Sequence, residues 1–322
     1  MLLAGLIARA DLPGLLQALS LGGAQLLWLV PYRVLFFLLY AIGWRALLRP
    51  YDPEHRAGVG YLFWVSAVRE SIDRLLPVAS VGGSVIGVRL LRWRGIASGP
   101  AAATVVVEIL LTLLSLWLFM VLALSLLIEH ALATGEQWHA ATALRLAIPA
   151  SVGLFIPIFL VHWLRRGDVF GRIAGQLRHF SGLDRLSSGA ASLDTELRAC
   201  LGRLRPLAGA GVLEFLALLS GSLENWYVLR LLGHPIDLRA AIAMEGLSVA
   251  ARQLAFVIPG GLGVQEGSLM LLGHSYGINA ELALALSLAK RMREVLCALP
   301  ALLSWQWLEM RRLRGAARGQ PE

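Results

Sequence analysis

The hydrophobic positions of this chain form long apolar runs, and two of these runs are interrupted in matching ways. The first interruption lies around Pro77, in VRESIDRLLPVASVGGSVIGVRLLRWRGI, and the second lies around Pro259, in LSVAARQLAFVIPGGLGVQEGSLMLLGHSYGI. Each run starts with a helical pattern that carries an arginine, meets a proline and a glycine cluster, and resumes as a shorter apolar stretch. Proline and glycine disfavour the interior of a helix, so the pattern predicts two broken helices.

Five further apolar runs predict membrane-crossing helices, because about 20 apolar residues span the hydrocarbon core of a bilayer. They cover residues 24–48, 97–128, 142–164, 207–232 and 280–308. Composition agrees, since only 16% of the residues are charged and 57% are hydrophobic, whereas about a quarter of the residues of a soluble protein are charged. We therefore predict an all-α integral membrane protein, folded as a polytopic helical bundle.

The order of these elements predicts an internal repeat. A first membrane half, residues 1–164, holds a repeat of about 24–128 and the linking span 142–164, and a second half, residues 207–310, repeats the order of span, broken element and span. Thirteen residues separate Gly95 from Glu108, and thirteen separate Gly277 from Lys290. Three crossings between the two starts make the repeats inverted, and we expect each broken element to be a re-entrant hairpin at a transport site.

The distribution of arginine predicts the orientation. Residues 165–206 form a basic linker with eight arginines, and the tail 311–322 is also basic, whereas residues 129–142 contain no arginine or lysine. By the positive-inside rule, the linker and the C-terminus are cytoplasmic and the N-terminus is outside. The net charge of +8 is thereby explained without nucleic acid, for which no binding motif is present.

Several classes of chemistry are not supported by the sequence. The two cysteines, Cys200 and Cys297, form no CxxC motif, and the seven histidines are scattered without metal-ligand spacing. The segment PGGLGVQEG lacks the GxxxxGK[ST] order of a phosphate-binding loop. We therefore predict no metal and no cofactor.

Charged and polar residues inside the apolar runs are the candidate site. Each buried charge costs about 2.5 to 3.5 kcal/mol on insertion scales, so such residues are expected to pair or to line a cavity. Lys290 and Glu294 are spaced to share one helix face. The predicted substrate-binding residues are Arg69, Glu70, Arg74, Glu108, Glu224, Asn225, Arg252, Gly261, Gln265, Glu266, Lys290, Arg291 and Glu294.

The order and spacing of four features carry a family resemblance: the arginine-rich first break, ENWY, PGGLGVQEG and LAKRMREVL. In these features the chain resembles the lysylphosphatidylglycerol synthetase transmembrane family, a flippase-like module. The similarity runs from about Trp28 to Trp307 and is greatest to the HpnL-like, hopanoid-associated members. It implies lipid translocation in a bacterial inner membrane. Aminoacyl transfer is not implied, because only a few polar residues follow Leu308.

Three functions remain open from the sequence. The favoured one is a flippase for a polar-headgroup lipid such as a phospholipid, a hopanoid or a sphingolipid-like molecule, with the cationic side chains holding an anionic or polar headgroup. The second is a membrane enzyme that modifies a lipid headgroup, and the third is a non-catalytic scaffold for lipid-synthesis enzymes. The oligomeric state is not predicted.

Overall fold

The computed structural model describes residues 20, 22–75, 82–135, 145, 152–153, 155–166, 184–255 and 263–317. Over these residues the regular secondary structure is entirely helical. Two short 3₁₀ helices, Gly23–Trp28 and Arg49–Tyr51, flank the first α-helix. The α-helices of the described residues are α1 (Leu29–Leu48), α2 (Val59–Leu75), α3 (Gly82–Trp93), α4 (Ser98–Thr134), α5 (Phe155–Arg166), α6 (Asp184–Leu201), α7 (Leu204–Leu231), α8 (Leu238–Leu254), α9 (Val264–His274) and α10 (Ala280–Ala317).

Three described helices are long and apolar enough to cross a membrane: Gly23–Tyr51, which contains α1, Ser98–Thr134 and Leu204–Leu231. They match the predicted spans 24–48, 97–128 and 207–232. α10 has 38 residues and is therefore about 57 Å long. It is not among the three candidate spans, because charged residues interrupt its apolar sequence. That α10 crosses the membrane stays a prediction. Of the predicted span 142–164, the structure describes mainly the part in α5.

Each predicted broken element consists of two helices. α2 and α3 pack against each other in the first, and α8 and α9 pack against each other in the second. The breaks themselves, with Pro77, Pro259 and Gly261, lie outside the described residues, so the path of the chain there and the re-entrant character stay predictions.

Both elements end in the same turn. Gly95 and Gly277 have positive φ of 76° and 71°. The following Ile96 and Ile278 donate N–H bonds back to Leu91 and Gly273, respectively. This is the Schellman cap, which glycine favours because it has no Cβ to clash in the left-handed region.

The packing of the helices is matched between the two halves. If α1 to α4 are exchanged with α7 to α10, each of the main packing contacts between the described parts of these eight helices maps onto a contact that is also present. α1 packs on α7 across the centre, α2 packs on α10, and α8 packs on α4. α5 and α6 have no counterpart in this scheme. The relative direction of the two halves across a membrane is not fixed by these contacts.

The predicted linker contains α6, which is amphipathic. Its buried residues Leu197, Cys200 and Leu201 pack against α4 and α5 in one hydrophobic cluster. The helix therefore lies against the bundle with its apolar face.

Candidate functional site

α2 brings two of its charged residues to the centre of the bundle. Glu70 accepts hydrogen bonds from Arg33 of α1 and from Arg74, the latter at 2.7 Å. Arg74 also donates to Glu294 of α10 at 2.8 Å. The i, i+4 spacing of Glu70 and Arg74 places both on one face of α2, so the helix presents a pair of opposite charges.

Glu294 is the hub of this network. Its carboxylate accepts hydrogen bonds from the guanidinium groups of Arg74 at 2.8 Å, Arg252 at 3.5 Å and Arg291 at 3.1 Å. The guanidinium group of Arg293 lies 3.7 Å away. Helices α2, α8 and α10 are thus tied together by a single buried acid. A carboxylate surrounded by guanidinium groups stays ionised and offsets part of their mutual repulsion.

A second buried group lies beside the hub. Lys290 of α10 donates to Glu245 of α8 and, at 2.9 Å, to the side-chain oxygen of Asn225 of α7. The amide nitrogen of Asn225 donates to Glu245 at 2.9 Å. All three side chains are buried. Gly221 allows Glu245 to approach α7, because a Cβ there would meet its carboxylate at 2.9 Å.

Two further acids complete the cluster. Glu224 of α7 accepts from Arg293, and both of these residues are buried. Glu266 lies at the start of α9, where it accepts from the Gly263 N–H at 2.7 Å, from Ser287 at 3.2 Å and from Arg291 at 3.2 Å. Its carboxylate therefore caps α9 and joins that helix to α10.

We call this group the central cluster. Its members among the described residues are Arg33, Glu70, Arg74, Glu224, Asn225, Glu245, Arg252, Gln265, Glu266, Lys290, Arg291, Arg293 and Glu294. Six members are cations and five are carboxylates. The cluster thus carries one excess positive charge, and the breaks 76–81 and 256–262 cannot change it because they contain no ionisable side chain.

The central cluster encloses a small polar cavity. Five cations (Arg33, Arg74, Arg252, Lys290, Arg293) line it, together with only two carboxylates, Glu245 and Glu294. Its volume is about 20 Å³, which is enough for one water molecule. Arg252 is the most loosely paired of these cations: it donates to Gln265 at 3.0 Å, and its nearest carboxylate is 3.5 Å away.

Arg69 and Glu108 form a separate pair. Arg69 donates to Glu108 of α4 and stacks over Trp44, with its guanidinium carbon 4.7 Å from the ring. Neither residue lines the central cavity. From the sequence we expect Arg69, Arg252, Glu266 and Lys290 to converge on one pocket. In the structure Arg252 and Lys290 line the cavity, whereas Glu266 does not and Arg69 pairs with Glu108 of α4.

The structure gathers most of the predicted site residues and adds three. Of the thirteen, all but Arg69, Glu108 and Gly261 belong to the central cluster, and Gly261 lies outside the described residues. Lys290 pairs with Glu245 rather than sharing contacts with Glu294. The prediction missed Arg33, Glu245 and Arg293 as site residues, although each is a charge inside an apolar run.

The described part of the chain contains no group of three or more His, Cys, Asp or Glu side chains arranged to hold a metal ion. What the central cluster can do is bind an anion. Guanidinium and ammonium groups that converge on one cavity with too few carboxylates favour a phosphate or carboxylate ligand.

Comparison with known proteins gives one match. The sequence model of the lysylphosphatidylglycerol synthase TM region matches residues 1–301. Neither the curated proteins nor the solved structures yield a match. The match covers both halves of the bundle and every residue of the central cluster. It confirms the resemblance at the level of the family and carries no information specific to hopanoids.

Proposed function

This chain belongs to the lysylphosphatidylglycerol synthase TM region family, and from this membership we propose that it moves a lipid with an anionic headgroup between the leaflets of a membrane. The headgroup binds at the central cluster and leaves chemically unchanged. The phosphate replaces carboxylates as the partner of the cavity cations.

The charge of the cavity lining is the observation that carries this proposal. Five cations and two carboxylates face one space, and uncompensated charge at this depth is costly. A phosphate monoanion would balance the one excess positive charge of the central cluster. This favours an anionic phospholipid over the uncharged hopanoid or zwitterionic sphingolipid-like cargo that the resemblance also allows.

The small cavity implies that the helices move during transport. A volume of about 20 Å³ holds one water and excludes a headgroup. The α2–α3 and α8–α9 elements each carry cluster residues, so separation of one element at a time would open the site to alternate sides. The matched packing of the two halves supports an internal repeat, and the count of crossings in the sequence favours the inverted arrangement that such alternating access uses.

We further propose a bacterial inner membrane location, with residues 165–206 and the C-terminus in the cytoplasm. The support is the placement of arginine, which favours the cytoplasmic side. Neighbouring lipid-biosynthesis enzymes are proposed as partners that supply the lipid.

The proposal is tested by reconstituting the full chain into liposomes with fluorescent phosphatidylglycerol and, separately, fluorescent phosphatidylcholine. Dithionite, which bleaches only the outer leaflet, then reports movement between leaflets. We expect wild type to move phosphatidylglycerol faster, and the Arg252→Ala, Lys290→Ala double variant to lose this movement. Arg239→Ala, an exposed charge whose side chain is 68% accessible, is the matched control.

The outcomes separate the three functions. Movement without a change in lipid mass supports the flippase. A lipid of altered mass indicates the enzyme, and neither movement nor alteration indicates the scaffold. Undiminished movement by the folded double variant would overturn the assignment of the site.

A further inference from the structure

Glu214 of α7 is a buried acid outside the central cluster. It is 4% exposed, and its carboxylate oxygen Oε2 lies 2.7 Å from the hydroxyl of Thr112 on α4. Among the described residues, no cation forms an ion pair with it. The charged groups near it are Glu108 and, more weakly, Arg69. From this arrangement we infer that Glu108 and Glu214 form a proton-binding site, which holds one proton between α4 and α7.

The balance of charge is the first argument. Glu108 and Glu214 are two carboxylates with one neighbouring cation, Arg69, which is bound to Glu108. If both acids were ionised, this buried region would carry one uncompensated negative charge. An isolated buried carboxylate is so unfavourable that such groups neutralise instead. One bound proton neutralises this excess negative charge.

The hydrogen bonds of Thr112 are the second, independent argument. Its hydroxyl lies 3.0 Å from the carbonyl oxygen of Glu108 and 2.7 Å from Oε2 of Glu214. A hydroxyl has one hydrogen, so it can make a full hydrogen bond to only one of the two acceptors or a weaker shared bond to both. A proton on Glu214 allows two full bonds, because Oε2–H then donates to Thr112 while Thr112 donates to the carbonyl oxygen.

The buried oxygen Oε1 of Glu108 is a third observation that supports a bound proton. Within the described part of the chain it has no hydrogen-bond partner, although Glu108 is only 1% exposed. A buried acceptor without a donor is costly. A proton that occupies the Glu108 carboxyl part of the time would lower this cost, because a protonated carboxyl group has a donor of its own.

The described residues of the surrounding elements offer no competing counter-ion to Glu214. α1 contributes Tyr40, whose hydroxyl neighbours both acids, and α2 contributes Arg69. The charge on α8, Glu245, pairs with Lys290 at Gly221, two turns along α7. On α10, Arg293 pairs with Glu224. Within the part of the chain that the structure describes, a bound proton is therefore the remaining source of neutrality.

Infrared spectroscopy of the full chain in lipid nanodiscs tests the inference without any transport measurement. A protonated buried carboxylic acid has a carbonyl stretch that is separate from the amide bands and shifts in deuterated buffer. We expect this band in wild type at neutral pH, its loss in Glu214→Gln, and its return at a shifted position in Glu214→Asp. Glu129→Gln, at a 60% exposed side chain, should leave it unchanged.

The assignment does not depend on the variants folding. Wild type grown with ¹³C-labelled glutamate should show the band displaced by the isotope, as a glutamic acid requires. A wild-type spectrum without a protonated-acid band at neutral pH, or a band that persists in folded Glu214→Gln, would overturn the inference. Because no lipid movement is measured, these results are independent of the proposed flippase activity.

Discussion

Glu108 and Lys290 occupy the same place in the two halves and carry opposite charges. Each lies thirteen residues after the capping glycine of its half, Gly95 or Gly277, and each is buried. Each also pairs with the first helix of the broken element in its own half: Glu108 with Arg69 of α2, and Lys290 with Glu245 of α8. The repeat therefore places one member of a buried ion pair at the same position in each half, with opposite charge. The partner positions differ, since Arg69 lies 26 residues before Gly95 and Glu245 lies 32 residues before Gly277.

The first prediction concerns the Lys290–Glu245 pair. Lys290→Met should destabilise the protein by about 3 to 5 kcal/mol, because Glu245 is left buried without its cation. The double variant Lys290→Met, Glu245→Gln should recover most of that loss, because no unpaired charge remains. Unfolding in mixed micelles measures both values.

The control for this comparison is the exposed pair of Arg239 and Glu129. Arg239→Met should change stability by no more than about 1 kcal/mol, since solvent screens surface ion pairs. If the double variant were as unstable as the single one, the cost would come from lost packing and not from charge.

The second prediction concerns the cap that ends each broken element. Gly277 has φ of 71° and open space around it, so Gly277→Ala should cost about 1 to 2 kcal/mol from the left-handed backbone alone. Gly267→Ala is the matched control, because Gly267 lies inside α9 with equally open space and alanine favours a helix by about 1 kcal/mol. Thermal unfolding should shift in opposite directions, and equal shifts would contradict the role of the cap.

The sequence predicts the two interrupted helices and the buried charges because both depend on local chemistry. The Gly-Ile pairs, the proline breaks and the charges within apolar runs can be recognised from neighbouring residues. The partner of each charge cannot, since it depends on which helices pack together. Lys290 thus pairs with Glu245 from α8 and not with Glu294 one turn away. Arg33, alone in an apolar run, could be placed at the site only from the packing of α1 on α2.

The third prediction concerns the side of the membrane on which the linker lies. A cysteine introduced at Ser188, in α6, should not react with an impermeant maleimide added to intact cells, whereas Thr134→Cys, at an exposed position near the end of α4, should react. Lysis should make Ser188→Cys reactive. Labelling of Ser188→Cys in intact cells would reverse the orientation.

The native cysteines are a modest background in this experiment. Cys200 is buried, and burial raises the pKa of its thiol to about 11, so little of the reactive thiolate forms at neutral pH. Cys297 lies in α10 and is only partly buried. Replacing both with alanine before the test removes the remaining ambiguity.

The last prediction uses the loose pairing of Arg252. Its nearest carboxylate, on Glu294, is 3.5 Å away, whereas Arg74 has a carboxylate on each side at 2.7 and 2.8 Å. Arg252 therefore gives up the weakest existing ion pair of the cavity cations when it binds a phosphate instead. A hydrogen bond to a charged group contributes about 1.5 to 3 kcal/mol, so Arg252→Gln should weaken binding of an anionic lipid roughly tenfold or more.

Native mass spectrometry with phosphatidylglycerol and phosphatidylcholine measures the retained lipid, with Arg239→Gln as control. Equal retention of phosphatidylglycerol by wild type and folded Arg252→Gln would show that the cations of the central cluster serve only to hold the helices together.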